Sequence, residues 1–357
     1  MKRLFPLLVL LTSPLLAQST FEEQLEVREV LLDVVVTDKA GNAVLGLGVD
    51  DFTVREDGRP VALTASTFYS SRELLEVPDA LHDRLDTEPR DRYFILLFDD
   101  QKKNQTSIDL VSRQLRAARD TVRWVHQELA PADWVAVVGY DFRLKVYEDF
   151  TRDRQALARA LRNAATGREP SGNWPSRLGG ERSGEAGAVP SLRQGLPTGR
   201  DLSRETPRIY DAFEHLAQAA GAVPGRKNLI YFGLGFGDVD DRGIYRPDQR
   251  YYPPMVETLN DHNVAVYSVD ISPSDVRHSL SGALSQLAED TGGRYFERFT
   301  NFASPLKQIS RENGGYYLLS YRSGHPPGES GFQKVEVELA DRSLRVRARG
   351  GYRYGND

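Results

Sequence analysis

The chain of 357 residues contains no cysteine. That absence removes thiolate catalysis, Cys-based zinc and iron–sulfur centres, disulfides, and lipid attachment to an N-terminal Cys. Stability must then come from core burial alone, which a chain of this length can supply. Positive charge is not in excess either. With 46 Lys and Arg against 51 Asp and Glu, the formal net charge is −5, which argues against non-specific nucleic-acid binding. Long apolar runs are missing: Leu4 to Leu16 is broken by Thr12, Ser13 and Pro14, and no later segment could span a bilayer. Histidine is sparse. His82, His126, His215, His262, His278 and His325 show no His-x-x-x-His pairing, and none stands in a Gly-x-Ser-x-Gly context.

What is present begins with Met1-Lys2-Arg3, the short apolar run and a small residue at Ala17. This reads as a cleavable secretory signal over residues 1–17, although Leu15 is not the usual small residue before the cut. A buried N-terminal strand is the alternative, and the dibasic start speaks against it. The mature chain is therefore expected to be secreted or periplasmic, with no transmembrane segment.

Residues 22–70 read as β structure, with turns at Asp38–Asn42 and Glu56–Pro60 and one strand from Val61 to Phe68. Residues 71–92 are charged and Pro-punctuated, which reads as a linker. From 93 to 313 the pattern alternates strand and helix. Tyr93–Phe98 is a continuous apolar run, the mark of a strand buried on both faces. Ile108, Val111, Leu115, Ala118, Val122, Val125 and Leu129 then fall on one helical face. Further helices are expected at Thr151–Ala165, around Ile209–Leu216, and at Met255–His262, Leu280–Asp290 and Phe302–Asn313. The strands between them start at Trp134, Arg143, Asn228, Val264 and Arg294. This order predicts a doubly wound, mostly parallel sheet with helices on both faces. Residues 316–354 return to β alternation. Neither flanking β segment can make a core alone, so the two are expected to pack into one small β-sandwich holding the α/β domain as an insertion. The alternative is that each lies separately against the α/β domain. Residues 167–206, rich in Gly, Ser, Pro and Arg, form a long flexible loop, either functional or a tolerated insertion.

The motifs resemble one family. Leu97-Phe98-Asp99-Asp100, Asp133–Val138, Phe150–Asp153, Gly225–Phe232, Asn263–Asp270 and Ala288–Arg294 follow the order seen in von Willebrand factor A (VWA) domains. The flanks, Leu32–Asp38, Asp51–Gly58 and Ala348–Tyr352, resemble those of the VWFA-related proteins secreted by acidobacteria-like bacteria. The resemblance covers nearly all of the mature chain. It implies a VWA-like fold and, at the carboxyl end of the sheet, the position where such domains bind Mg²⁺ and protein partners.

That position is degenerate here. The metal-binding pattern needs an Asp, two Ser, a Thr and a second Asp, all hard oxygen ligands. Asp99 matches the first Asp, but the serine positions are Gln101 and Lys103. The Thr position falls near Thr206 or Pro207, and Gly233-Leu234-Gly235 stands where the second Asp should be. Gln101 could still offer a carbonyl oxygen. Lys103 cannot ligate as an ammonium and is expected to pair with Asp99 in place of the cation. Asp99 and Asp100 read equally well as a charge pair at a helix N-terminus. Gly233-x-Gly235-x-Gly237-Asp238 is no dinucleotide turn, because an acidic stretch follows it. Asp238-x-Asp240-x-Arg242-Gly243 lacks the closing glutamate of a calcium loop, so it reads as a solvated acidic loop.

The expectation is a non-enzymatic protein-binding module without cofactor. It would use a top face containing Asp99, Asp100, Gln101, Lys103, Thr206, Gly233, Gly235 and Asp238 and the 167–206 loop. A metal-dependent (Mg²⁺ or Ca²⁺) adhesion-type variant is the alternative. A hydrolase whose site is assembled only in space is the third reading.

Overall fold

A computed structural model describes residues 29–71, 85–86, 91–100, 108–168, 189–275, 278–325 and 329–355. The signal segment 1–17, Gln101 and Lys103, most of the 71–92 linker and residues 169–188 lie outside the described residues. The Lys103–Asp99 pair and the helix-terminus reading of Asp99 and Asp100, which depends on 101–107, lie outside them too.

The chain begins with β1 (Glu29–Thr37), β2 (Phe52–Glu56), β3 (Arg59–Val61) and β4 (Leu63–Ser70), with a short β5 (Leu85–Asp86) beside β4. Asp57 and Gly58 turn β2 into β3 with φ of 44° and 78°, the two positive values a type I′ hairpin turn requires. The single strand expected from Val61 to Phe68 is in fact two. β3 pairs with β2, while β4 crosses to the other sheet and pairs with a C-terminal strand, so the chain changes layers at Ala62.

The α/β layer follows. Its elements are β6 (Arg92–Asp99), α1 (Ile108–Gln127), β7 (Asp133–Tyr140), β8 (Leu144–Thr151), α2 (Arg154–Ala165), α3 (Gly199–Glu205), α4 (Ile209–Ala220) and β9 (Lys227–Gly233). After a small hairpin of β10 (Asp238–Val239) and β11 (Tyr245–Arg246) come α5 (Tyr252–Asp261), β12 (Val264–Asp270), α6 (Ser281–Asp290), β13 (Arg294–Phe296) and α7 (Ala303–Glu312). The sheet order is β13-β12-β9-β6-β7-β8, parallel except for the antiparallel β7–β8 edge. Counted along the chain this is the doubly wound order 3-2-1-4-5-6, with its switch point between β6 and β9. The layer is covered by helices on both faces, and β6 shows how. Tyr93, Ile95 and Leu97 pack with Phe213, Leu216, Met255 and Leu284 of α4, α5 and α6. Phe94, Leu96 and Phe98 turn the other way, onto Trp124, Leu157 and Leu306 of α1, α2 and α7.

Two expectations in this layer need correction. The helix expected from Thr151 starts at Arg154, because Thr151 ends β8 and the Asp153 carboxylate caps the N–H groups of Gln155 (2.8 Å) and Ala156 (3.1 Å). Residues 189–206, expected as flexible loop, are docked. Leu192, Leu196 and Leu202 are buried in the core beside α4, and α3 occupies the end of the segment. Asp149 anchors its start by accepting from Ser191 Oγ (2.6 Å) and Leu192 N (2.8 Å). Gly195 lies so close to α4 that a Cβ would stand 2.6 Å from the Ala219 Cα.

The chain leaves through β14 (Gly315–Arg322), β15 (Gly331–Leu339), β16 (Arg345–Ala348) and β17 (Gly351–Tyr354). N- and C-terminal segments interleave in two sheets, β16-β1-β14-β4-β5 and β17-β15-β2-β3. They share one core, where the Tyr317 ring meets Phe52 and Phe68 edge-on at 5.2 and 5.0 Å. The two β segments thus form one sandwich. Entry and exit of the α/β layer lie side by side, with Ser71 N and Oγ donating to Gly314 O at 3.0 and 2.9 Å. Among the described residues no helix is long and apolar enough to cross a membrane.

Candidate functional site

The carboxyl ends of β6, β7, β9 and β12 place Asp99, Tyr140, Gly233 and Asp270 in one row across the top of the sheet. Asp99 is buried, and Tyr231 from the neighbouring β9 donates its hydroxyl to Asp99 Oδ2 at 3.0 Å. Burial first, then the Asp99 charge and hydrogen bond, push the Tyr231 hydroxyl well above its usual value, so it remains a donor at physiological pH. The same ring explains the missing second carboxylate. A Cβ at Gly233 would stand 2.5 Å from the Tyr231 hydroxyl, so a side chain there would have to displace the tyrosine.

Thr206 is equally committed. Its Oγ1 donates to Leu202 O (2.6 Å) and accepts from Leu144 N (2.8 Å), and the residue is fully buried. Tyr140, whose hydroxyl burial and the Asp99 charge raise, donates to Pro207 O at 2.7 Å and ties the same loop to β7. Asp100 is turned toward the α1–α2 seam, where Gln114 Nε2 donates to it at 3.2 Å and Gly167 faces its carboxylate. Gly235, at φ 91°, approaches the Leu280 carbonyl so closely that a Cβ would lie 2.4 Å from its oxygen. Asp238 is exposed on the β10–β11 hairpin. Asp240 beside it accepts from the N–H groups of Arg242 (3.0 Å) and Ile244 (2.9 Å), which makes it a turn residue of that hairpin. The structure therefore brings Asp99, Gly233 and Gly235 to the top of the sheet, spends Thr206 on backbone, and sends Asp100 sideways.

A cluster not expected from the sequence stands two strands from Asp99. Asp270 accepts from Ser272 N (2.7 Å), His278 Nε2 (3.0 Å) and the Tyr295 hydroxyl (3.1 Å). Burial would raise its carboxyl, but the His278 and Ser272 hydrogen bonds outweigh it and hold the group below its usual range. The signal was an Asp ending a strand with a His eight residues on. Asp99 and Asp270 flank β9, so about two strand spacings, roughly 10 Å, separate their backbones. Among the described residues no three His, Asp or Glu side chains are grouped to hold a metal.

No family model and no curated protein matches the chain. Solved structures with a similar course include the conserved hypothetical protein BatB from Bacteroides thetaiotaomicron, 15% identical with a TM-score of 0.37 over 62% of this chain and 97% of that one. A von Willebrand factor type A protein from Catenulispora acidiphila is 9% identical with a TM-score of 0.35, over 91% and 74% of the two chains. Proximal thread matrix protein 1 from the mussel byssus is 14% identical with a TM-score of 0.39, and the match spans 63% of this chain but only 48% of that one.

Around the buried row, the top surface carries apolar side chains. Ile108 at the start of α1 is 84% exposed, Phe142 in the β7–β8 turn 58%, and Val239 and Ile244 of the hairpin 46% and 52%. Phe142 is held at φ 49°, a rare setting for an aromatic residue. Nearby, where α4 and α5 begin, the guanidinium groups of Arg208 and Arg250 lie 4.2 and 5.2 Å from the Tyr251 ring.

Proposed function

We propose that the chain is a secreted or periplasmic, non-enzymatic module that binds a protein partner through the top face of its VWA-like layer, without a metal. One observation carries this reading. Half of the large apolar side chains exposed among the described residues (Ile108, Phe142, Val239 and Ile244) sit on segments that follow the carboxyl ends of β6, β7 and β9. Exposed apolar groups gathered on one face mark interaction surfaces, and the Arg208–Tyr251–Arg250 stack adds the residue types that dominate interface energetics. The polar groups beneath are spent on each other, so recognition falls to the exposed side chains rather than to a cation.

The test compares capture by the immobilised mature protein with capture by Phe142→Asp, Ile244→Asp and, as a control on the sandwich, Leu45→Asp. Periplasmic and secreted fractions of the producing cells would be used, with and without EDTA. The reading expects a protein retained by wild type and Leu45→Asp, lost with either top-face variant, and indifferent to EDTA. Equal retention by all variants would refute the surface, and loss with EDTA would restore the metal-dependent alternative. The hydrolase reading gains the Asp270–His278 pair, but among the described residues no hydroxyl is hydrogen-bonded to the second His278 nitrogen to act as nucleophile.

A further inference from the structure

At the opposite end of the sheet, between the amino ends of β6 and β9 and the sandwich, lies a cavity of about 440 Å³. Asp91, Arg92, Arg226 and Asn228 line it from the α/β layer, the Asp91 carboxylate being held by Arg152 and Trp134 Nε1 (both 2.9 Å), and Tyr69 and Tyr316 line it from β4 and β14. Its size falls within the range of small-molecule sites, which favour domain junctions.

The two arginines that line the cavity differ in their partners. Arg92 donates Nε and Nη2 to the two Asp133 oxygens at 2.7 and 2.6 Å. Arg294 and Arg347 share Glu312, while Lys227 and Arg349 feel the charge of Asp33. Arg226, only 6% exposed, has no carboxylate partner among the described residues. Its Nη2 donates to Gly292 O at 2.6 Å, and its Nε and Nη1 are buried with no acceptor. Asn228 beside it spends Nδ2 on Tyr93 O (3.3 Å) and leaves Oδ1 buried with no donor. A buried cation without a counter-charge, next to a buried acceptor without a donor, is costly, and native structures keep such groups for a reason. Across the cavity the Tyr69 and Tyr316 rings lie 5.6 Å apart and 25° from parallel.

We propose that this cavity is a binding site for a small organic oxyanion on a planar ring. Arg226 neutralises the charge, Asn228 Oδ1 accepts a hydrogen bond from a ligand hydroxyl or N–H, and the ring lies against the Tyr69–Tyr316 pair. A carboxylate and a phosphate ester share this chemistry. The site is independent of the top-face reading and stands or falls separately.

The test uses the full mature chain with four probes at about 10 mM: 4-hydroxybenzoate, phenyl phosphate, inorganic phosphate and the neutral 4-hydroxybenzamide. A ligand well above its dissociation constant raises the melting temperature by a few degrees. At least one of the two ring anions is expected to raise it by about 2 °C or more and the amide by none, and whichever ring anion binds tighter identifies the oxyanion. Inorganic phosphate, without a ring to stack, is expected to bind roughly tenfold more weakly than the better ring anion. Arg226→Met is expected to abolish the response without lowering the ligand-free melting point, since it removes an unmatched charge. No response to either ring anion, an equal response to the amide, or unchanged binding by Arg226→Met would overturn the proposal. Inorganic phosphate binding as tightly as the ring anions would overturn the role given to the tyrosines. If Arg226→Met fails to fold, the comparison of anion with amide on the wild-type protein still decides.

Discussion

Lys227 gives the most direct quantitative test of how the α/β layer meets the sandwich. Its ammonium is buried and donates to Val223 O at 2.8 Å. Burial lowers its pKa from 10.5 to about 8, Asp33 working against that and Arg349 with it. Below pH 8 the folded protein carries a charged lysine in a poorly solvated place, while the unfolded chain carries the same charge in water. Between 8 and 10.5 the unfolded chain binds the extra proton, so stability contributed by this residue rises with pH. The displacement corresponds to about 3 kcal/mol in favour of the neutral form. Lys227→Met removes the buried charge at the cost of about 1 kcal/mol for the lost hydrogen bond to Val223. At pH 7 the variant should therefore be more stable than wild type by about 2 kcal/mol. That advantage should shrink by about 2 kcal/mol between pH 7 and 9.5, as the wild-type lysine loses its proton. Urea unfolding of both proteins across this range gives the difference, in which the shared tyrosine titrations cancel. A difference that stays flat with pH, or a variant less stable than wild type at pH 7, would refute a buried, partly matched ammonium here.

Three further outcomes are expected. Gly233→Asp drives a Cβ into the Tyr231 hydroxyl, so it should cost about 1–3 kcal/mol, and its melts in EDTA and in millimolar Mg²⁺ should coincide; a Mg²⁺-dependent rise would show that the second carboxylate had been accommodated after all. Arg92→Met leaves Asp133 buried without its bidentate partner and should destabilise by about 3–5 kcal/mol in denaturant unfolding, an effect a surface pair would not show. Gly195→Ala pushes against α4 and should cost about 1–3 kcal/mol while speeding proteolytic cleavage within 189–206; no change in either would mean the segment is not docked on Ala219.

The apolar run at Tyr93–Phe98 and the helical face that begins at Ile108 were legible because burial on two faces and a 3.6-residue period are local signals. The split of Val61–Phe68 into β3 and β4 was not, because changing sheets at Ala62 depends on partners on β2 and β14, the latter about 250 residues away in sequence. Leu192, Leu196 and Leu202 stand in a Gly-, Ser- and Arg-rich stretch with no single period, so their common docking on α4 left no pattern to find. At the site, the sequence shows that an Asp is missing at Gly233 but not why. Tyr231 reads as one more core aromatic in Leu229–Phe232, and its hydroxyl partner lies 132 positions earlier on β6. His278 was closer to hand, only eight residues from Asp270, yet a hydrogen bond across that spacing depends on how the β12–α6 connection folds back.

The two ends of the central sheet differ in how their polar groups are satisfied, and the two proposals rest on that difference. At the top, the Tyr231 hydroxyl meets Asp99, Thr206 is closed between Leu202 and Leu144, and Asp270 collects donors from Ser272, His278 and Tyr295. These groups have already exchanged water for protein partners, so a ligand that competed for them would have to break bonds before making any. What is exposed there is the apolar and Arg–Tyr surface on which the proposed partner reading rests. At the bottom, Arg226 Nε and Nη1 and Asn228 Oδ1 are buried without a hydrogen-bond partner, the state that the proposed oxyanion ligand would relieve. Tyr231 is the residue on which this division turns. Its ring crowds Gly233, where a Cβ would stand 2.5 Å from the hydroxyl, and that hydroxyl donates to Asp99 at the end of β6.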